Sequence, residues 1–86
     1  MVGTNQWMLN RLNEAIASFT RALDKCPEDT VSRSNRADIY LRLGMFPEAQ
    51  REINFVVKAD PQATTGPGKS VRALADQLKN SSPNLR

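Results

Sequence analysis

The sequence predicts an all-α fold, a short solenoid of about five helices arranged as helix–turn–helix repeats. Apolar residues recur every three or four positions along most of the chain, which is the spacing of one face of a helix. Short pairs also recur after 34 positions: Glu14-Ala15 returns as Glu48-Ala49, and Cys26-Pro27 returns as Asp60-Pro61. A fixed period of this length is typical of stacked helical repeats.

The N-terminal part predicts two helices, at roughly 3–10 and 12–25. The first is too short to be stable alone. We interpret its Trp7 as packing on the second helix, although an exposed tryptophan would also suit contact with a partner. The second helix ends before Pro27. Its apolar face consists of Leu12, Ala15, Ile16, Phe19, Ala22 and Leu23.

The central stretch predicts an antiparallel pair of helices at 30–43 and 47–59. The side chain of Asp29 or Thr30 can accept hydrogen bonds from the free backbone amides at the start of the first of them. Gly44 can adopt the left-handed conformation that ends it.

After a loop, a last helix is predicted at 68–79, with Val71, Leu74, Ala75 and Leu78 on its apolar face. We therefore expect one domain over residues 1–80. It would consist of a partial repeat (1–29), a full repeat (30–63) and a capping helix (64–80), followed by a flexible tail (81–86).

The composition of the chain excludes several classes of function. The 86 residues include 12 basic and 9 acidic side chains, no histidine and a single cysteine, Cys26. Zinc sites and histidine-based catalysis are therefore excluded, and we expect no catalytic residue, metal or cofactor. No apolar run approaches the ~20 residues that span a bilayer. Without a disulfide framework or a secretory signal, we expect an intracellular and most simply cytoplasmic protein, with an organelle left open.

The stretch from Ala63 to Ser70 satisfies a relaxed phosphate-loop pattern that ends in Gly-Lys-Ser. Phosphate binding by such a loop requires a strand before it, so that the loop amides surround the phosphate at a helix N-terminus. Here the predicted helix at 47–59 precedes it, so we interpret the stretch as a linker and a helix start.

The chain resembles the tetratricopeptide repeat (TPR) family over roughly residues 3–79. The central copy matches it at Ala37, Tyr40, Gly44, Phe46, Glu48, Ala49 and Pro61, and the preceding copy at Gly3, Leu12, Ala15, Phe19, Ala22 and Pro27. The sequence departs from the family at Arg33, where a bulky aromatic is usual. It departs again at Val56 and Val71, which replace small residues.

This resemblance implies a non-catalytic protein–protein interaction or scaffold module, with a protein as its partner. Its first repeat lacks most of one helix, so we expect an apolar end left open at Trp7, Ile16 and Phe19. We therefore favour a small adaptor or a subunit of a larger assembly, with self-association as one way to cover that end. The face that such repeats turn towards a partner would carry Val31, Ser34, Asn35, Asp38, Leu41, Arg42 and Lys69.

An alternative follows from Ser34-Asn35-Arg36, which is similar to a run in TPR domains that bind acidic C-terminal tails of chaperones. Those domains hold the tail carboxylates in a five-residue clamp. Asn35 fits the clamp asparagine and Lys69 one of its basic residues, but the other three positions do not match. Weak RNA binding ranks third, because the basic residues are spread out and a nucleic-acid partner is not expected.

Overall fold

The computed structural model describes residues 6–81. Its four helices are α1 (Gln6–Lys25), α2 (Thr30–Arg42), α3 (Phe46–Ala59) and α4 (Gly66–Ser81). They form a flat molecule with extents of 36 × 35 × 18 Å. No strand is present among these residues, so the predicted all-α class is confirmed.

The predicted count of about five helices is wrong for the part of the chain that the structure describes. The expected helices at 3–10 and 12–25 are one continuous helix, α1, and residues 3–5 lie outside the described residues. No glycine or proline occurs within α1. Extending an existing helix by one turn costs far less than nucleating a separate one, so the N-terminal turns join the longer helix.

Asp29 opens α2. Its carboxylate accepts the backbone amides of Val31 and Ser32 at 3.1 and 3.3 Å and the Ser32 hydroxyl at 2.8 Å. These bonds, led by that from the Ser32 hydroxyl, hold the pKa of Asp29 below its usual value. Asp29, rather than the alternative Thr30, is therefore the N-cap.

Gly44 closes α2 as predicted. Its φ is +77°, and its amide donates to the Leu41 carbonyl at 3.1 Å. The next amide, that of Met45, donates to the Tyr40 carbonyl at 2.8 Å. This pair of bonds is the Schellman motif, which requires a left-handed residue after the helix and is least strained with glycine. The tight turn returns the chain antiparallel into α3.

Asp60 organises the loop before α4. One carboxylate oxygen accepts the amide and hydroxyl of Thr64 at 3.1 and 2.9 Å, and the other accepts the same groups of Thr65 at 2.9 and 2.7 Å. The pKa of Asp60 is thereby held far below its usual range, chiefly by the Thr65 hydroxyl. A Cβ at Gly68 would clash with this carboxylate. Two amides of the phosphate-loop pattern, those of Thr64 and Thr65, thus bind a carboxylate of the same chain.

The hydrophobic core lies between α2, α3 and α4. It consists of Ala37, Ile53, Val56, Val71, Leu74 and Leu78, with Leu41, Phe46 and Ala75 packed against it. No α1 residue belongs to this cluster. Val57 of α3 is apolar but 43 % exposed. It follows Val56 directly, and adjacent helical residues point about 100° apart.

A buried carboxylate joins α2 to α3. Glu52 accepts from Arg33 Nη1 at 2.9 Å and from Arg36 Nε at 2.7 Å, and Arg36 Nη2 forms a second bond to it. Arg36 Nη1 also donates to the Thr20 hydroxyl of α1 at 3.1 Å. The Arg33 guanidinium lies 3.9 Å from the centre of the Phe55 ring. Arg33 thus fills the position where the family usually has an aromatic side chain.

Candidate protein-binding surfaces

A cleft of about 220 Å³ runs between α2 and α4. Its walls are Ser34, Asn35 and Asp38 of α2 and Ser70, Ala73 and Leu74 of α4. On each helix these residues are three or four apart or adjacent, so they share one face. Leu74 is buried and forms the apolar floor, and Asn35 and Ser70 are exposed at the opening.

The polar groups of the cleft differ in how freely they can meet a ligand. The buried Ser34 hydroxyl already donates to the Val31 carbonyl at 3.0 Å. Asp38 Oδ2 lies 3.5 Å from Arg42 Nε in an exposed pair, which is worth at most about 0.5 kcal/mol. The exposed Asn35 amide forms no hydrogen bond with the described residues, and it offers both donors and an acceptor.

Of the seven residues predicted for a partner-binding face, Ser34, Asn35 and Asp38 line this cleft. Val31, Arg42 and Lys69 are exposed and do not line it, although Lys69 directly precedes Ser70. Leu41 is half-buried and packs against the core cluster. The sequence did not indicate that Ser70, Ala73 and Leu74 line a binding surface, because the contact between α2 and α4 lies outside the matched repeat positions.

The second surface is the apolar face of α1. Of the twenty residues of this helix, all of which the structure describes, Leu23 alone is buried. Leu9, Leu12, Ala15, Ile16, Phe19 and Ala22 are half-buried. Among the described helices α1 packs on α2 alone, whereas α2 packs on α1, α3 and α4. The predicted open-end residues Ile16 and Phe19 therefore lie on a face that one helix covers incompletely.

Trp7 lies on a different side of α1, about 140° around the helix from Leu12. It is part of α1 itself and is 64 % exposed, so its interpretation as packed on the following helix is wrong. The Arg11 guanidinium lies 5.3 Å from the centre of its ring, one turn along the helix. The single cysteine, Cys26, is also exposed, with a free thiol.

Two further observations concern residues 6–81. They contain no group of three or more Cys, Asp or Glu side chains arranged to hold a metal ion. None of their helices combines the length and apolar character that crossing a membrane requires.

The chain belongs to the tetratricopeptide repeat family, whose model matches residues 7–66. Tetratricopeptide repeats are protein–protein interaction modules, and their partners are proteins. Curated relatives include Hsp70-Hsp90 organizing protein 3 of Arabidopsis thaliana, 34 % identical over 62 % of this chain and 10 % of its own length. The Hsp70-Hsp90 organizing protein of Triticum aestivum is 31 % identical over 74 % of this chain and 11 % of its own. The chain thus spans about a tenth of these relatives. No solved structure matches it.

Proposed function

We propose that this chain is a small non-catalytic adaptor, or a subunit of a larger assembly, that docks on another protein through the apolar face of α1. The incomplete burial of this face carries the proposal: of the twenty α1 residues only Leu23 is buried. Helical repeats bury their faces on neighbouring repeats, and a terminal face left for solvent is normally polar. The outer face of α4 is of that polar kind, with Arg72, Asp76 and Lys79 exposed. The side of α1 that carries Arg11 and Glu14 is polar too, but its half-buried face is apolar.

An intracellular location is part of this proposal, because a free and exposed Cys26 thiol suits a reducing compartment. The docked protein is either a second copy of this chain or a different subunit. Both would cover the same side chains, Leu12, Ile16 and Phe19.

The second candidate is a receptor for an acidic C-terminal peptide in the α2–α4 cleft. Asn35 lies in the wall of this cleft and Lys69 is exposed beside Ser70, which supports it. The relatives are named Hsp70-Hsp90 organizing proteins, which supports a chaperone-linked role of this kind. The Asp38 carboxylate in the same wall opposes it, because it would repel the peptide's own carboxylates.

Two measurements separate the two candidates. A ten-residue peptide ending in consecutive glutamates is titrated into the chain by calorimetry, and the mass of the free chain is measured by sedimentation over micromolar concentrations. For the adaptor we expect no saturable binding tighter than about 1 mM, which corresponds to roughly 4 kcal/mol. A mass above the 9.6 kDa of one chain would identify the docked protein as a second copy, and a mass of 9.6 kDa would leave a different subunit.

Saturable binding that weakens about tenfold in Asn35→Ala and in Lys69→Ala would contradict the adaptor proposal and support the peptide receptor. Lys79→Ala is the matched control, because Lys79 is an exposed lysine of the same helix in its last turn. Peptide binding that all three variants share equally would count against the cleft as the site.

A further inference from the structure

A second depression, of about 180 Å³, lies on the opposite side of α2 from the cleft. Its lining comprises Arg33, Arg36, Tyr40, Glu48, Arg51 and Glu52. Residues 33, 36 and 40 project about half a turn away from residues 34, 35 and 38, because each residue advances a helix by about 100°. This surface is therefore separate from the α2–α4 cleft. It faces the side where α1 and α3 flank α2.

The charges in this depression do not balance. Glu52 is the shared partner of Arg33 and Arg36, so two guanidinium groups face one carboxylate. The three side chains are 19 %, 16 % and 5 % exposed in the order Arg33, Arg36, Glu52. One positive charge is thus left uncompensated in a partly desolvated position, where an anion is attracted more strongly than at an open surface.

Arg51 and Tyr40 add further hydrogen-bond donors to the lining of the depression. Arg51 forms no ion pair or hydrogen bond with any residue that the structure describes, and the Tyr40 hydroxyl donates to none of them. Arg33 commits Nη1 to Glu52 and Nε to the Pro27 carbonyl, which leaves its Nη2 donors available. Glu48 also lines the depression and adds one negative charge, so the net charge of the six residues is +1.

We propose that this depression binds a single oxyanion group, a phosphate or a carboxylate carried by a partner molecule. Arg51 donates two parallel N–H bonds to it, the geometry in which guanidinium groups hold oxyanions best. The Tyr40 hydroxyl and Arg33 Nη2 complete the donor set. The anion neutralises the charge that Glu52 leaves uncompensated.

The test is an NMR titration of the whole chain with inorganic phosphate and, separately, with acetate, at constant ionic strength. The readout is the Nε–Hε resonances of Arg33, Arg36 and Arg51. A saturable shift is needed rather than a rise in melting temperature, because phosphate also stabilises proteins generally by its exclusion from their surface. We expect saturable shifts at these resonances for at least one of the two anions.

In Arg51→Gln the apparent Kd should rise about tenfold, the loss of one charge-assisted interaction. Arg72→Gln, an exposed arginine on α4, should leave the Kd unchanged, and Glu48→Gln should lower it because a repelling charge is removed. Shifts with both anions identify a general oxyanion site, and shifts with phosphate alone identify a phosphate site. Linear, non-saturating shifts, or an Arg51→Gln titration that matches the wild type, would overturn the proposal.

Discussion

Replacing Glu52 with alanine is expected to lower the free energy of unfolding by about 2–3 kcal/mol. Glu52 is 5 % exposed and accepts hydrogen bonds from both Arg33 and Arg36. Removing it leaves two guanidinium groups facing each other without a counter-ion. Breaking a buried pair in this way costs about 3–5 kcal/mol, which we reduce because the two arginines retain some solvent. The measurement is urea unfolding followed by circular dichroism.

Arg42→Gln provides the control for an ion pair at the surface. Its pair with Asp38 has side chains that are 63 % and 43 % exposed, and its loss should change the free energy by no more than about 0.5 kcal/mol. Equal unfolding midpoints for the Glu52 and Arg42 variants would show that the buried carboxylate does not hold α2 and α3 together.

The second large effect is expected from Ile53→Ala, which should lower the free energy of unfolding by about 3 kcal/mol. Ile53 is 1 % exposed and lies in the core cluster between α2, α3 and α4. The shortened side chain loses its burial and leaves a cavity that these helices can close only partly. Domains of this size are stabilised by roughly 0.05–0.15 kcal/mol per residue, so the loss is a large part of the total.

Val57→Ala is the matched control on the same helix. Its side chain is 43 % exposed, and we expect a loss below about 1 kcal/mol. Urea unfolding measures both variants. An unchanged slope of the free energy of unfolding against urea concentration shows that the same transition is being compared. A Val57→Ala loss as large as that of Ile53→Ala would mean that the core has been assigned to the wrong face of α3.

The repeat period predicted the parts of the fold that depend on local spacing. Ala37 and Ala49 are both fully buried, as the small positions of a helical repeat should be, and Gly44 has the left-handed conformation expected of it. Gly44 and the cap at Asp29 were predictable because both depend on neighbouring backbone groups. The protein-interaction class followed from the same residues, through the resemblance that they carried.

Contacts between side chains that are distant in sequence were not predictable. Glu52 meets Arg36 and Arg33 across 16 and 19 residues, and nothing in the spacing of either helix marks these three as partners. The lining of the cleft by Ala73 and Leu74 depends on how α4 packs against α2, which the matched repeat positions do not reach. The close approach of the Asp60 carboxylate to Gly68 likewise depends on the folded conformation of the loop, which residue spacing does not predict.

The division of the chain into a core of α2–α4 and a docking helix α1 is tested most directly by native-state hydrogen exchange. At low concentration, amides of α1 should exchange through local openings at least about 1–2 kcal/mol less costly than those of α3, because α1 packs on one helix only. Their protection should rise when α1 is covered at higher concentration or by a partner. Equal protection of α1 and α3 at every concentration would contradict this division.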